Sequence, residues 1–534
     1  MPKPRLSLPA GAARALFFSP LLLLIILAAR PPALAQRATA STPEQKTARH
    51  FESIKAEPLE LYMFLRQMPK GADLHNHMTG SVYAESYVRW AAEAGMCVDR
   101  KTMLLFNGPC DEASGRPAAS TAMTDGVLYR SMIDAWSMRN SEYAGQSGHD
   151  QFFDSFGKFG LAGNNRYGDM LAEVTARAAS GRVAYMELML TPDNGKSRDL
   201  GRQLKWPDGA ADASPAELAK VMEQMRQELL RLGISQAVRE GQNTLNIMEA
   251  RRKELLKCDD PNKAAPGCGV TVRYIFQIAR ANPPAQAFAQ MVAAMEMALV
   301  EPRLVALNLV QAEDSLPSMT YFPLQMLMLD YLNSVYPKVN ITLHAGELAP
   351  GLVPPDGLRF HVRDSVRKGH AKRIGHGVAV AYEDDPVGLL REMSEKRVMV
   401  EICLSSNDGI LGVRGKQHPL PLYLKFGVPV ALATDDEGVS RSEMTREFVK
   451  AVEDHGLGYV QLKAMARTSL EHAFVEGASL WKDAGRWLPV SECKSDRAGD
   501  GSPSGECQRF LKGNEKARLQ WALEGSFADF EKKH

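Results

Sequence analysis

The sequence lacks a surplus of charge of either sign, with 64 Lys and Arg residues against 63 Asp and Glu residues among 534. We therefore see no indication of a nucleic acid or an anionic membrane as a partner. The sequence also contains no internal repeat. The remaining composition, 45% hydrophobic and 24% charged residues, is typical of a globular protein with one large domain or two smaller ones.

Cysteine is scarce, and no two of the seven cysteines have the spacing of a zinc finger. Six of them form three pairs that are close in sequence, whereas Cys403 lies alone in an apolar stretch. The pairs are Cys97 with Cys110, Cys258 with Cys268, and Cys493 with Cys507. We predict three local disulfides and one buried thiol, an arrangement that requires an oxidising compartment.

The N-terminus has the features of a secretory signal peptide. Basic residues precede an apolar run over residues 15–29, and Ala33-Leu34-Ala35 follows as a small-residue cleavage site. Ser19-Pro20 interrupts the run, which is shorter than the roughly 20 apolar residues of a membrane-spanning helix. We expect cleavage after residue 35, export to the periplasm or the exterior, and no stable membrane association. An uncleaved anchor is the alternative.

Eight short apolar runs predict eight β-strands. Most are rich in Val, Ile and Leu without polar alternation, as expected for parallel strands that are buried on both faces. They cover residues 72–77, 182–190, 270–278, 303–310, 339–347, 373–377, 398–407 and 428–437. The intervening segments, such as 215–232 and 285–300, have helical composition. This alternation predicts an α/β fold, a TIM (β/α)8 barrel, with a doubly wound sheet as the alternative.

We predict that residues 36–490 form the barrel domain, with extra helices at its ends. One N-terminal helix is expected over residues 47–67. A loop-rich insertion is expected at about 97–130, after the first strand. Residues 491–534 are expected to form a C-terminal loop and helix that pack on the barrel.

Polar residues fall at the ends of the predicted strands. His75 and His77 alternate along one strand, so their side chains share a face. His344, His376 and Asp435 end later strands, and in a barrel these ends converge on one mouth. Three histidines and a carboxylate suit Zn²⁺, with an open position for a water whose pKa falls to about 7. We therefore predict one catalytic Zn²⁺ per chain at this mouth of the barrel.

Glu347 follows His344 after the short turn Ala345-Gly346, which places a carboxylate beside the predicted metal as a proton carrier. His376 is flanked by glycines, which we expect to leave room near the bound water. Taken singly, each motif has an ordinary structural explanation; Asp435-Asp436, for example, could cap a helix. The joint order H-x-H, HAGE, GHG and TDD indicates a metal-dependent hydrolase. No role is predicted for His149, His361, His370, His418, His455 or His472.

Over most of residues 60–480 the sequence resembles the adenosine deaminase family of the amidohydrolase superfamily. The similar segments are PKGADLHNH (69–77), ITLHAGE (341–347), RIGHG (373–377), EICLSSN (401–407) and ATDDE (433–437). The signal peptide, the cysteines and the insertion resemble the secreted branch, the adenosine deaminase-related growth factors. This resemblance implies hydrolytic deamination at purine C6 of a small-molecule purine nucleoside, and a homodimer.

The resemblance also implies a role for each site residue. His75, His77, His344 and Asp435 would bind zinc, and Glu347 would protonate N1 of the purine. His376 would orient or deprotonate the zinc-bound water, with Asp435 sharing that proton, and Asp436 would bind N7. The segment HDQFFDSF (149–156) resembles one that covers the pocket, which makes Phe153 and Phe156 candidates for substrate binding.

Two positions depart from the family pattern. The family has an acidic residue just after the H-x-H pair, reaching the sugar 5′-hydroxyl, whereas this sequence has Met78-Thr79. Where relatives have Asp-Leu-x-Gly after the fourth strand, this sequence reads Asn308-Leu-Val-Gln311. The backbone N–H of Gln311 can still bind the purine, but its side chain would narrow the site.

The leading hypothesis is an exported zinc-dependent deaminase of adenosine and 2′-deoxyadenosine. Thr79 and Gln311 motivate the first alternative, a deaminase of another 6-aminopurine compound. A secreted binding or signalling module that retains the barrel is the second. A third is a different amidohydrolase with a lysine-bridged metal pair, although no lysine ends a predicted strand.

Overall fold

The structure, a computed structural model, describes residues 41–207 and 214–534, so the predicted signal peptide lies outside the described residues. One eight-stranded sheet contains all eight predicted strands. Each strand pairs in parallel with the next strand along the chain. The strands are β1 Gly71–His77, β2 Val183–Leu190, β3 Thr271–Ala279, β4 Leu304–Val310, β5 Asn340–Ala345, β6 Arg373–His376, β7 Met399–Ile402 and β8 Val430–Leu432.

The sheet closes between its first and last strands. Asn76 of β1 forms a parallel bridge with Asp435, just after β8. The Asp435 amide donates to the His75 carbonyl at 2.8 Å, and the His77 amide donates to the Asp435 carbonyl at 3.1 Å. A doubly wound sheet would instead reverse its strand order at a switch point. The predicted α/β barrel is confirmed.

Helices lie between the strands and beyond both ends of the sheet. The described ranges contain nineteen α-helices. They are Pro43–Ile54, Pro58–Gln67, Ala84–Glu93, Gly126–Ala135, Gly148–Phe159, Tyr167–Ser180, Lys196–Gly201, Pro215–Leu232, Ile234–Leu256, Pro284–Val300, Leu316–Val335, His361–Arg367, Pro386–Glu395, Leu404–Leu411, Leu420–Phe426, Met444–His455, Tyr459–His472, Gly505–Gly513 and Glu515–Glu531.

The prediction of a single helix over residues 47–67 was wrong. Two helices cover this stretch, Pro43–Ile54 and Pro58–Gln67, and the helical conformation is interrupted between them. Pro58 has no backbone N–H to donate and disfavours helical backbone in the residue before it. It therefore begins a new helix, where the missing donor costs nothing.

The barrel strands are buried on both faces, as parallel strands covered by helices must be. Leu343, Ile374 and Val400, from three successive strands, have no exposed surface. The insertion contains a short antiparallel pair, Cys97–Val98 with Leu105–Phe106. The last helix packs Leu519, Leu523, Phe527 and Phe530 into the main core.

The three predicted disulfides are present, joining Cys97 to Cys110, Cys258 to Cys268 and Cys493 to Cys507. Cys403 is buried and unpaired, as predicted. Disulfides of this kind persist in oxidising compartments. Among the described residues, no helix combines the length and the apolar character needed to cross a membrane.

Candidate active site

Four predicted metal ligands meet at the C-terminal end of the barrel. Nε2 of His344 lies 3.1 Å from Nε2 of His75 and 3.1 Å from Nε2 of His77. Oδ1 of Asp435 lies 3.3 Å from each of the latter two nitrogens. All four residues are buried. The barrel thus brings together one donor atom from each of four residues that are up to 360 positions apart in the sequence.

These donor atoms fit a single metal ion. Neighbouring ligands of a tetrahedral metal with bonds of about 2.0 Å are about 3.3 Å apart. Oδ1 of Asp435 is buried and accepts no hydrogen bond from the described residues, which is costly for a carboxylate unless a cation is bound. Three imidazoles and one carboxylate are a donor set that zinc accepts.

The second nitrogen of each imidazole has a polar partner that orients the ring. Nδ1 of His75 lies 2.6 Å from Oε2 of Glu401, and Nδ1 of His344 lies 2.9 Å from Oδ1 of Asn308. The Gln277 amide lies 2.6 Å from Nδ1 of His77. In each case Nε2 is left facing the cluster, the arrangement that orients histidines on a metal.

Sequence reasoning missed these orienting residues. Glu401 and Asn308 lay within quoted segments, and Gln277 within a predicted strand, but none was given an orienting role. Ser406 was also missed; its hydroxyl donates to Oδ2 of Asp435 at 2.7 Å. Glu401, Asn308 and Gln277 lie just inside strand ends, which is the signal that the sequence offered, whereas Ser406 lies on the helix after β7. Which neighbour each one contacts depends on the stagger between strands, which the sequence does not reveal.

Glu401 is itself held by a buried arginine. Arg373 has no exposed surface and donates to Oε1 of Glu401 at 2.6 Å and to Oε2 of Glu187 at 2.6 Å. Burial alone would raise the pKa of Glu401, but Arg373 and His75 bring it below its usual value. Glu401 is therefore ionised and accepts a hydrogen bond from His75.

Glu347 lies beside the cluster. One donor atom each from Glu347, His376 and Asp435 lie within 4.8 Å of one another. Burial, together with the charges of Asp435 and Glu313, raises the pKa of Glu347 well above its ordinary value. The protonated form of this carboxyl group is therefore favoured relative to an exposed glutamate.

The turn before Glu347 is fixed by Glu313. This carboxylate accepts the backbone N–H groups of Gly346 and Glu347 at 3.1 and 2.8 Å. Nδ1 of His361 lies 2.5 Å from Glu313. Burial would raise the pKa of Glu313, but His361 and the neighbouring Arg280 bring it down to about 2. His361, for which no role was predicted, thus holds the carboxylate that shapes this turn.

His376 adopts left-handed backbone, with φ of 67°, which is strained for a residue with a Cβ. Its Nδ1 lies 3.0 Å from the Asn407 amide, whose oxygen lies 3.1 Å from Nε2 of His418. His418 was therefore a second missed contributor. Nε2 of His376 is buried and has no partner among the described residues.

The glycines beside His376 make room for other side chains. A Cβ on Gly375 would lie 2.5 Å from the His75 ring, and one on Gly377 would lie 2.4 Å from the Tyr423 hydroxyl. We expected these glycines to leave room for a water. The structure shows a packing role for both, and Gly375 permits the close approach of His75.

A cavity of about 480 Å³ opens above the cluster. All five predicted substrate-binding residues line it: Thr79, Phe153, Phe156, Gln311 and Asp436. Phe152, which was not predicted, also lines it, as does Glu347. No lysine or arginine of the described chain does so.

The aromatic wall of this cavity lies on the helix Gly148–Phe159, which Ser147 caps by accepting the Asp150 amide at 3.0 Å. Nε2 of His149 on this helix lies 2.9 Å from Oδ1 of Asp314, in the loop after β4. This contact joins the helix to the opposite rim of the cavity, and His149 had no predicted role.

Gln311 has φ of 85°, a conformation that favours glycine. Its side-chain oxygen accepts the Ala281 amide at 3.1 Å, so the side chain is bound at the rim. The backbone there has a conformation that favours glycine, and the side chain of Gln311 lines the cavity.

Asp436 occupies space that a glycine leaves free. A Cβ on Gly80 would lie 1.5 Å from Oδ1 of Asp436. That oxygen is buried and has no hydrogen-bond partner among the described residues. Burial and the charge of Asp435 raise the pKa of Asp436 well above its usual value. The protonated form, which can donate a hydrogen bond, is therefore favoured.

Comparison with known proteins finds similarity over part of the chain. Residues 254–480 match the sequence model of the family described as adenosine deaminase. An adenine deaminase of Rhizobium leguminosarum bv. trifolii is 34% identical over 140 residues, which are 26% of this chain and 40% of that protein. An adenosine deaminase of Enterococcus faecalis is 33% identical over 139 residues, 26% of this chain and 38% of that protein.

Among solved structures, a zinc-bound amidohydrolase of Burkholderia ambifaria superposes with a TM-score of 0.48 and 16% identity, covering 86% of this chain and 94% of that one. The alignments with these two curated relatives span about two fifths of the length of each relative. Residues 254–480, which the family model matches, contain β3 to β8 and with them His344, Glu347, His376 and Asp435.

Proposed function

We propose that this chain, whose residues 254–480 match the adenosine deaminase family model, is a zinc-dependent hydrolase that converts adenosine and 2′-deoxyadenosine to the inosine products and ammonia. The observation that carries the proposal is the convergence of four donor atoms, all within 4.8 Å of one another, beside Glu347 at the floor of one cavity. A structural metal site would have no need of an adjacent protonated carboxyl group.

His75, His77, His344 and Asp435 would hold one Zn²⁺. Zinc supplies Lewis acidity that makes water a nucleophile near neutral pH. The chain would supply the rest, since the buried pairs with Glu401 and Asn308 orient two of the imidazoles before the metal arrives.

Glu347 would act as the general acid at purine N1. Burial raises its pKa, which favours the protonated carboxyl group that could give its proton to the ring nitrogen as C6 is attacked. Nε2 of His376, buried and without a partner, would accept the proton of the attacking water. Asp435 lies within reach of both groups.

Asp436 would orient the purine. N7 of a purine is a hydrogen-bond acceptor, and an ionised carboxylate has no hydrogen to donate to it. The raised pKa of Asp436 keeps the carboxyl protonated, so its hydroxyl can donate to N7. Different local environments would therefore give the two adjacent aspartates opposite protonation states.

The cavity favours a neutral substrate. Phe152, Phe153 and Phe156 offer apolar faces to the base and the sugar, whereas Asp435 and Glu347 lie on the floor. A 5′-phosphate would enter a site that offers it acidic groups and no lysine or arginine. We therefore propose a nucleoside substrate and expect AMP to be a poor one.

A second candidate, deamination of another 6-aminopurine such as the free base, rests on Thr79. Thr79 lines the cavity where family members have an acidic residue for the sugar 5′-hydroxyl. Without that carboxylate the ribose loses one contact, so the preference for a nucleoside over a base is weaker. The relatives of this chain include both adenosine and adenine deaminases.

We also propose that the protein is exported from the cytoplasm. The disulfides joining Cys97 to Cys110, Cys258 to Cys268 and Cys493 to Cys507 support an oxidising compartment. We propose that residues 1–35 are a cleaved signal peptide and that the mature protein is a homodimer. N-terminal sequencing of the exported protein and its mass in solution would test these two points.

The decisive experiment is a substrate panel with metal content measured on the same sample. We expect ammonia release from adenosine and 2′-deoxyadenosine, little from AMP, and one zinc per chain. Turnover of adenine with no turnover of either nucleoside would favour the second candidate. Two metals per chain, or no reaction with any 6-aminopurine in the zinc-loaded protein, would contradict both.

A further inference from the structure

A second large cavity, of about 620 Å³, lies at the opposite end of the barrel from the metal cluster. Asn340 and Arg373, which line it, begin strands β5 and β6. The same strands bring His344 and His376 to the other end of the barrel. The two cavities therefore share no lining residue and face opposite ends of the sheet.

Basic side chains dominate the lining of this cavity. They are Lys372, Arg373, Lys396, Arg397 and Lys516, together with His370 and His472. Glu471 is the one acidic residue among the lining residues that the structure describes. Its carboxylate accepts the Ser479 hydroxyl at 2.6 Å and the Gln520 amide at 2.8 Å.

Some of these cations are neutralised within the fold. Arg373 binds Glu187 and Glu401, Lys396 lies 2.8 Å from Glu392, and His370 lies 2.6 Å from Asp330. The remaining basic side chains are the ones available to a ligand.

Three cations have no ion-pair partner in the described chain. Lys372 donates to the Asn340 side-chain oxygen at 2.7 Å, and Lys516 donates to the Glu471 carbonyl at 3.1 Å. Arg397, on the exposed rim, makes no side-chain hydrogen bond within that part of the chain. Partial burial lowers the pKa of both lysines, and for Lys516 this effect outweighs the opposing charges of Glu471 and Glu187.

His472 lies where these charges converge. This residue lines the same cavity, and its Nε2 is buried and has no partner in the described chain. Burial, and then the positive charges of Arg397, Arg373 and Lys516, lower its pKa to about 3. A buried donor or acceptor without a partner is costly unless a ligand completes it.

We propose that this cavity binds a phosphate group, either as inorganic phosphate or as the phosphate of a small phosphomonoester, through Lys372, Arg397, Lys516 and His472. Lysine ammonium groups attract the anion as point charges, and an arginine fork matches two phosphate oxygens. The bound anion would relieve the repulsion among the cations and give His472 Nε2 a partner. The ligand would lie next to Arg373, whose other contacts lead through Glu401 to His75.

The test is calorimetric titration of the zinc-loaded protein with inorganic phosphate and, separately, with ribose 5-phosphate, in a low-salt buffer. We expect saturable binding that weakens as sodium chloride is added, because salt screens charge attraction. In the double variant Lys372→Gln/Arg397→Gln we expect the apparent Kd to rise at least tenfold. Both side chains are exposed at the cavity rim, so the fold is expected to tolerate their replacement.

The matched control is Arg391→Gln/Lys425→Gln, which removes the same charge from exposed positions outside the cavity and should retain the wild-type Kd. Tighter binding of ribose 5-phosphate than of phosphate would identify a phosphomonoester as the ligand, and the reverse order would identify free phosphate. The proposal is overturned if the wild type shows no saturable binding, if the double variant binds as well as the wild type, or if the control loses as much affinity.

Discussion

Nδ1 of His75 and Oε2 of Glu401 lie 2.6 Å apart, and both side chains are almost completely buried. Glu401 also accepts from Arg373 at 2.6 Å and from the Thr342 hydroxyl at 3.1 Å. The orientation of one predicted metal ligand is therefore set by residues on three other strands. A shell of this kind determines how well a site is prepared for its metal.

The Glu401→Gln substitution should weaken zinc binding. The single side-chain oxygen of glutamine can accept a hydrogen bond from His75 or from Arg373, but not from both in the present geometry. The buried Arg373 would also lose its ion pair with the carboxylate at position 401. We expect a loss of about 10- to 100-fold in zinc affinity, measured by competition with a chelator. Glu395→Gln, at an exposed position, is the control. Equal zinc affinity in both variants would show that Glu401 does not support the metal site.

The Glu347→Gln substitution should remove the general acid without removing the metal. Glutamine is close to glutamate in size but has no acidic proton, so we expect kcat to fall by about 10² to 10⁴. Zinc content should stay at one per chain, because Glu347 is outside the four-residue cluster. Unchanged ammonia release from adenosine by this variant would mean that the proton comes from another group.

The Gly80→Ala substitution should disturb Asp436. The added Cβ would lie 1.5 Å from Oδ1 and 2.4 Å from Cγ of that residue, so the side chain must move. We expect kcat/KM to fall at least tenfold while zinc is retained. The control, Gly157→Ala, adds the same methyl group where nothing lies within 4 Å and should leave kcat/KM unchanged. A kcat/KM in Gly80→Ala equal to that of the control would contradict a substrate contact by Asp436.

Glu447 should make stability depend on pH. It is buried, and burial outweighs hydrogen bonds from the Ser405 amide and the Ser442 hydroxyl, raising its pKa to about 7. Between pH 4.5 and about 7, the Glu447 carboxyl group is therefore protonated in the folded protein and ionised in the unfolded chain. This contribution to stability is complete below pH 4.5 and is lost as the pH rises through 7.

The Glu447→Gln substitution removes the titrating group; the glutamine oxygen can accept from the Ser405 amide, and its NH2 group can donate to the Ser442 hydroxyl oxygen. Relative to the wild type, its free energy of unfolding should rise by roughly 2 to 3 kcal/mol between pH 5 and pH 7.5. Urea unfolding at both pH values measures this difference. Glu60→Gln, at an exposed position, is expected to change by no more than about 0.5 kcal/mol at either pH. A constant difference between Glu447→Gln and the wild type would show that Glu447 does not titrate in this range.

Much of the fold was determined by the sequence alone. Eight apolar runs separated by helical segments predicted the eight parallel strands, because a strand buried on both faces must be apolar along its whole length. The helix boundaries were less accurate. Pro58 divides a stretch whose apolar spacing fits a single helix. Local backbone chemistry there outweighs periodicity.

The sequence also determined which residues gather at the mouth of the barrel. His75, His77, His344, His376 and Asp435 end parallel strands, and closure of the sheet must bring those ends together. The tertiary structure decided the contacts around them. Glu401 orients His75, His361 holds Glu313, and His418 reaches His376 through Asn407.

These contacts depend on the stagger of neighbouring strands and on side chains from distant segments. Neither can be read from local sequence patterns. The same limit applies to the cationic cavity at the other end of the barrel. Lys372, Arg397, His472 and Lys516 come from separate connections between strands and from the C-terminal segment. The order of strands thus follows from the sequence, whereas the partners of each charged side chain follow only from the closed barrel.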